Sequence, residues 1–196
     1  MSLTVLQGLP QLSVNSMKTV VDILYEEYET FDKYFKTNNE ISFQISMENH
    51  LKKGLLLSAA SYFENIITNE LIAFTSEVTG SNELLCSFLK NKAIGRQYHT
   101  FFKWDDANGA NNFFGLLGDG FKVYMKKNTK ENLKLSNSIN AFLSLGDERN
   151  RLVHLNYGTY NIQKTIAEIY TLYNDASYFV NLLPDCLRFK EIKIDK

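Results

Sequence analysis

The segment Arg149-Asn150-Arg151-Leu152-Val153-His154 sets a permanently charged guanidinium five residues ahead of a titratable imidazole. The chain has only four arginines (Arg96, Arg149, Arg151 and Arg188) and three histidines (His50, His99 and His154), which makes the pair conspicuous. A guanidinium offers planar, bidentate hydrogen bonds to phosphate oxygens and can stabilise charge gathering on a pentacoordinate phosphorus. An imidazole can take a proton from a nucleophile or give one to a leaving group near neutral pH. RNA carries its own nucleophile, the 2′-hydroxyl, and DNA does not. Arg149 and His154 therefore suit metal-independent RNA cleavage by internal attack, leaving a 2′,3′-cyclic phosphate and a 5′-hydroxyl. No cofactor is expected.

The motif reads as helical. A five-residue separation turns a helix by about 140° and rises about 7.5 Å, so Arg149 and His154 flank a strip of surface rather than share a stripe. Asn150 lies four residues before His154, about 40° around, which makes the two neighbours. Asn150 is thus the third candidate, as a positioning amide or a direct participant. Arg151, three before His154, reads as a phosphate-positioning or surface residue. One pair supplies one imidazole, whereas in-line cleavage gains from both a base and an acid. A symmetric homodimer with facing motif helices would supply two, and a composite site is expected on that ground. The alternative is a solvated helix face in a catalytically silent module that binds RNA or a partner protein.

Other polar residues point less clearly. Glu64 lies on a core helix, from which a carboxylate could orient Arg149 or His154, or could simply be exposed. His50 and His99 show no partner pattern, and His99 beside Tyr98 and Phe101 reads as packed or surface-lying. Lys122, Lys126, Lys127, Lys130 and Lys134 form either an RNA-tracking stripe or a charged solvent face. Asp105-Asp106 and Glu26-Glu27 lack the company a metal site needs.

The elements that must hold these groups are helices. Apolar residues recur at helical spacing from Met17 to Phe35, from Ser46 to Val78, and from Ile162 to about Leu183. Gly80 is the expected stop of the second, Ser81 the cap of a short helix ending near Gly95, and Pro184 the stop of the last. Between Arg96 and Gly120 the sequence is rich in Asn, Gly and aromatics and predicts short helices with turns. A helix over Gly120–Lys127, a polar turn at Asn128-Thr129-Lys130, a helix over Asn132–Leu145 and a motif helix over Asp147–Tyr157 follow, the last closed by Gly158. Residues 1–15 read as a loose arm, and 16–196 as a single all-α bundle with additional short helices.

Bulk composition agrees. In 196 residues with 44% hydrophobic and 22% charged content there is material for one real core, much of it filled by 14 Phe and 11 Tyr. Only two prolines occur, Pro10 and Pro184, as a mostly helical body requires. A net charge of −1 excludes a general basic coat for nucleic acid, so RNA would be gripped by a local patch. Cys86 and Cys186 read as buried free thiols of a reducing compartment. Met1–Leu12 lacks the pattern of a secretory signal, no apolar run is long enough to span a membrane, and the cytoplasm is the expected address.

Arg149-Asn150-x-x-x-His154, late in an all-α chain and followed by a long helix, resembles the signature of the HEPN superfamily. The Ala59-Ala60-Ser61-Tyr62-Phe63-Glu64 helix and the aromatic, Asn-rich middle are similar to the RiboL-PSP type of HEPN domain, over about residues 45–183. The resemblance implies a helical bundle, homodimerisation and metal-independent endoribonuclease activity. Arg149 and His154 stand at the catalytic positions and Asn150 at the accessory polar one. It also implies a role as toxin or defence effector, with an antitoxin or defence-system partner. Two departures stand out. Leu155 follows the histidine where many members have Gly. Asn156 stands where some members carry a modifiable tyrosine, with Tyr157 one residue late, so regulation of that kind is not expected.

Overall fold

A computed structural model describes residues 18–192; the expected arm at 1–15 lies outside them. The elements are α1 (Val20–Thr37), α2 (Ile41–Val78), α3 (Glu83–Leu89), a π-helical turn (Lys90–Ile94), α4 (Tyr98–Phe101), α5 (Ala110–Leu116), α6 (Asp119–Glu131), α7 (Leu133–His154) and α8 (Ile166–Leu187). Among the described residues there is no strand, and the fold is all-α. No helix of the described residues is long and apolar enough to cross a membrane.

The body is α2, α7 and α8, with α1 laid along α2. Leu56, Ala59, Phe63 and Ile67 of α2 meet Leu135, Phe142, Leu145 and Leu152 of α7 and Ile169, Ala176, Phe179 and Leu183 of α8, all buried. Phe101, Phe102, Phe113 and Phe114 of the middle segment are buried in the same core. Edge-to-face contacts join Phe102 to Phe142 and Phe142 to Phe179, the arrangement that the ring quadrupole favours. Helix α1 is docked through its own N-cap. Thr19 and Asp22 form a capping box, and the same groups accept from the Tyr173 and Tyr170 hydroxyls of α8 at 2.8 Å each.

Several boundaries differ from the sequence expectation. Helix α2 begins at Ile41, not Ser46. Asn82, not Ser81, caps α3 by accepting from the Leu85 N–H. Helix α6 continues through Asn128-Thr129-Lys130, with the Asn128 amide donating to the Tyr124 carbonyl instead of opening a turn. Helix α8 starts at Ile166 behind a Thr165–Glu168 capping box and runs past Pro184 to Leu187. The carbonyl of Pro184 accepts from Arg188, which is also paired with Glu70 and Glu77 of α2. These contacts hold the last turn in place despite the proline. Cys186 is buried and Cys86 half-buried; both are free thiols, and burial pushes the Cys186 thiol up to about 12.

The largest correction concerns α7. The two helices expected over Asn132–Leu145 and Asp147–Tyr157 are one, and Gly146 lies inside it. A glycine in a helix interior costs about 1 kcal/mol relative to alanine. Here it is required by packing: a Cβ on Gly146 would stand 1.9 Å from a ring carbon of Trp104.

Candidate functional site

Helix α7 delivers the motif to one end of the bundle. Its start is capped by Asn132, whose side chain accepts from the Leu135 N–H at 3.0 Å. Its core stripe, ending in Leu145 and fully buried Leu152, fixes the rotation of the last turns. That rotation leaves Arg149 and Asn150 half-buried and His154 exposed at the terminal residue. Arg151 is exposed and paired with Asp147 at 3.0 Å.

The helix stops at His154, not Tyr157. The stop is Asn156, at φ +68, rather than Gly158. Asn is among the few non-glycine residues that enter the left-handed region readily, and its Oδ1 accepts from the Gly158 N–H at 3.1 Å. The following loop is tied to α2 by two buried lysines. Lys53 donates to the Tyr157 carbonyl at 2.6 Å, and Lys52 to the Ile162 carbonyl at 3.0 Å. Buried Glu148 accepts from the Tyr160 hydroxyl at 2.8 Å. The end of α7 is therefore held from both sides of the loop.

Arg149, Asn150 and His154 line a single cavity of about 360 Å³. That volume lies at the small end of the range for ligand sites, about 300–1,000 Å³. Its floor is apolar and aromatic: Ala60, Phe63, Trp104, Phe142, Leu145 and Gly146. Its charged and titratable wall comprises Glu64 of α2, Arg96 and His99 of the middle segment, and Arg149 and His154 of α7. Asn150 Oδ1 accepts from an Arg149 Nη at 3.2 Å. The amide thus orients the guanidinium, whereas the helix geometry alone pointed to His154 as its neighbour. Tyr98 is buried in the wall. Burial pushes its phenol far up; the charge of Glu64 adds to this and that of Arg149 opposes it. Tyr98 accordingly remains an uncharged hydroxyl beside these two ions.

The third wall is built by an irregular stretch. The Gly95 N–H closes the π-turn onto the Lys90 carbonyl at 2.6 Å. A Cβ on Gly95 would sit 2.8 Å from that oxygen, so a larger residue would force the turn open. Arg96 follows at φ +61, a conformation costing a non-glycine residue roughly 1–2 kcal/mol. The Trp104 indole N–H then donates to the His99 carbonyl at 3.1 Å. Trp104 itself packs on Phe102 and Phe142 with centroids 4.9 and 5.5 Å away. The chain from Gly95 to Trp104 is thereby held against α7.

The sequence candidates therefore converge. Glu64, left between two readings, is half-buried and faces the cavity. Arg151 lies outside it, and His50 lines a different cleft beside the loop after α7. Arg96 and His99 were not anticipated, because nothing in their spacing relates them to residues some fifty positions later. The only available signal was the irregular, glycine-flanked segment around them. Among the described residues, no group of three or more His, Cys, Asp or Glu is placed to hold a metal ion.

The molecule is thus an all-α bundle with a polar, aromatic-floored cavity at the end of its penultimate helix. The profile of the RiboL-PSP-HEPN family matches residues 22–188, and the chain belongs to that family. No curated protein and no solved structure matches it.

Proposed function

We propose that this chain is a metal-independent endoribonuclease of HEPN type, with Arg149 and His154 at its catalytic centre and Asn150 positioning Arg149. The observation that carries the reading is that all three residues line one cavity of about 360 Å³. In the reaction the 2′-oxygen loses its proton and attacks phosphorus. The P–O2′ bond forms, the P–O5′ bond breaks, and the 5′-oxygen leaves with a proton. Arg149 neutralises the charge that builds on the non-bridging oxygens. His154 exchanges one of the two protons. Family membership supports a nuclease-type module, and the aromatic floor is suited to a stacked base.

A homodimer is part of the proposal. Val153, Leu155 and Tyr157 expose apolar surface around His154, and a second copy would cover it. The setting we infer is cytoplasmic, as a defence or toxin effector restrained by an antitoxin or a defence-system partner. The test is incubation of the purified protein with total RNA in EDTA, beside Arg149→Ala and His154→Ala. Cleavage that resists chelation, is lost in both variants and leaves 2′,3′-cyclic phosphate ends is the expected result. Wild-type-like cleavage by either variant would overturn the assignment.

A further inference from the structure

Two tyrosines are buried among the described residues, Tyr98 and Tyr173. The Tyr173 hydroxyl donates to the Thr19 hydroxyl at 2.8 Å. The half-buried Tyr160 and Tyr170 give theirs to Glu148 and Asp22, each at 2.8 Å. Tyr98 differs. It is only 9% exposed, yet among the described residues no group bonds to its hydroxyl. We propose that Tyr98 is a catalytic residue: its hydroxyl donates a hydrogen bond to a non-bridging oxygen of the scissile RNA phosphate, beside Arg149, and that bond strengthens as negative charge gathers there. This inference rests on the nuclease reading above.

Three observations carry it. First, the oxygen opens into the cavity. Among the described residues no side-chain nitrogen or oxygen is both sealed from solvent and unpartnered. The unpartnered Tyr98 oxygen is therefore reachable, and the space that Tyr98 borders is the cavity of Arg149 and His154. A buried tyrosine ordinarily finds its partner inside the fold; one left facing a cavity points to a ligand. Second, the ring is held still. It packs against Phe101, Phe102 and Trp104 with centroids 6.2, 5.9 and 5.6 Å away. Its short helix is pinned at the far end, where the Asn112 amide donates to the Thr100 and Phe101 carbonyls at 3.0 and 2.8 Å. A donor fixed in advance needs no reorganisation when charge appears. Third, its electrostatic setting suits a donor. The charges of Glu64 and Arg149 both act on the phenol, and burial together with Glu64 keeps the proton on its oxygen. Tyr98 thus offers an O–H rather than an oxyanion, and it does not repel a phosphate drawn in by Arg149. It keeps that proton throughout the reaction. Proton exchange stays with His154 and with the second copy of the chain.

Tyr98→Phe removes one oxygen and leaves the ring. No partner inside the protein is lost, so the variant should unfold at or above the wild-type temperature. Fluorescence of Trp104, the only tryptophan, should be unchanged. Single-turnover cleavage of RNA should fall by at least about 10-fold. Binding of a 2′-deoxy oligonucleotide, which lacks the nucleophile, should stay at its wild-type value, because the contact gains its strength in the transition state. The contact itself is read with RNA that carries sulfur in place of one non-bridging oxygen of the scissile phosphate. Sulfur accepts hydrogen bonds weakly, so in one of the two diastereomers the bond to Tyr98 is already lost. Wild type and Tyr98→Phe should cleave that diastereomer at equal rates, and the other with the full difference between them.

If Tyr98→Phe cleaves ordinary RNA as fast as wild type while His154→Ala is inactive, the inference fails and the nuclease reading stands. If Tyr98→Phe is slower by the same factor on ordinary RNA and on both diastereomers, the hydroxyl does not touch the phosphate and the inference also fails; a lowered unfolding temperature would then assign the oxygen to the fold. Chelator-resistant cleavage that is absent in wild type, or unchanged in His154→Ala, overturns the nuclease reading itself and this inference with it.

Discussion

Two clefts lie along α7, and they differ in kind. The one at its C-terminal end, about 360 Å³, has an aromatic floor and walls carrying Glu64, Arg96, His99, Arg149 and His154. The one at its N-terminal half is larger, about 700 Å³. It is lined by the amides of Asn108, Asn111 and Asn140, the hydroxyls of Ser136 and Thr129, and Lys126 and Lys130 of α6. Asn140 and Asn150, one in each, are ten residues apart, or about 15 Å along the helix. The larger cleft carries two lysines among amides and hydroxyls, and no histidine, arginine or carboxylate lines it. Size therefore does not set the proposed site apart. What distinguishes the smaller cleft is that imidazole, carboxylate and guanidinium side chains line it together with an apolar floor, where charges act more strongly than in bulk solvent.

The largest effect that would break this contrast is on cleavage itself. Arg149→Ala and His154→Ala should lower the single-turnover rate by roughly 10²–10⁴-fold. Thermal unfolding should change little for His154→Ala, because that side chain is exposed. A His154→Ala variant that loses its fold and its activity together would put the residue among structural groups, and the two clefts would no longer differ in the way stated.

Gly146→Ala probes what makes the smaller cleft. An alanine would ordinarily favour the helix by about 1 kcal/mol. Against that, its Cβ would stand 1.9 Å from Trp104, and overpacking of this sort costs typically about 1–3 kcal/mol. The clash decides the sign. The variant should unfold at lower temperature than wild type, and Trp104 fluorescence should shift to the red as the ring is driven outward. Activity should fall with it, since Trp104 lines the same cavity as Arg149 and His154. A Gly146→Ala protein that is more stable than wild type, with unshifted emission, would show that the helix accommodates a methyl group and that Trp104 does not set the cavity wall.

How much of this is legible in the sequence follows from the range of each interaction. Helical periodicity is local, and it placed the apolar stripes of α1, α2 and α8 and the motif on a helix. Packing across distant segments is not local. Gly146 looked like a break between two helices, because its partner, Trp104, is forty-two positions away. The same holds for Lys52 and Lys53, adjacent lysines that no local pattern singles out. Both are buried and bound to carbonyls more than a hundred positions later. Pro184 was read by its usual effect, and the contacts of Arg188 that keep the helix going lie on α2. In the site, Arg149, Asn150 and His154 were visible because six consecutive residues of one helix hold them. Arg96 and His99 were not, because an irregular loop brings them across.

Lys53→Met tests the loop after α7. It removes the donor to the Tyr157 and Gly158 carbonyls while keeping most of the apolar stem. Hydrogen bonds from a charged donor contribute about 1.5–3 kcal/mol each. Part of that returns here, because the ammonium no longer has to be desolvated. Hydrogen exchange over residues 155–165 should accelerate, while α2 and α8 keep their protection. Unchanged exchange in that loop would mean that Glu148 and Tyr160 hold it without Lys53.

The smallest expected effect belongs to the larger cleft, and it is the sharpest control. Lys126→Ala and Lys130→Ala remove the positive charge that faces Asn108, Asn111 and Asn140. Both lysines are exposed, and surface substitutions away from special features shift stability by within about 0.5 kcal/mol. Single-turnover cleavage at saturating RNA should stay within about twofold of wild type, because neither lysine lines the cavity that holds Arg149 and His154. If the cleft binds RNA at all, the loss appears in the concentration of RNA needed for saturation and in a shallower dependence on salt, one phosphate contact at a time. A large drop in the saturated rate would mean that the two clefts act on one stretch of RNA in the chemical step. The separation between a binding surface and a reacting one would then have to be abandoned.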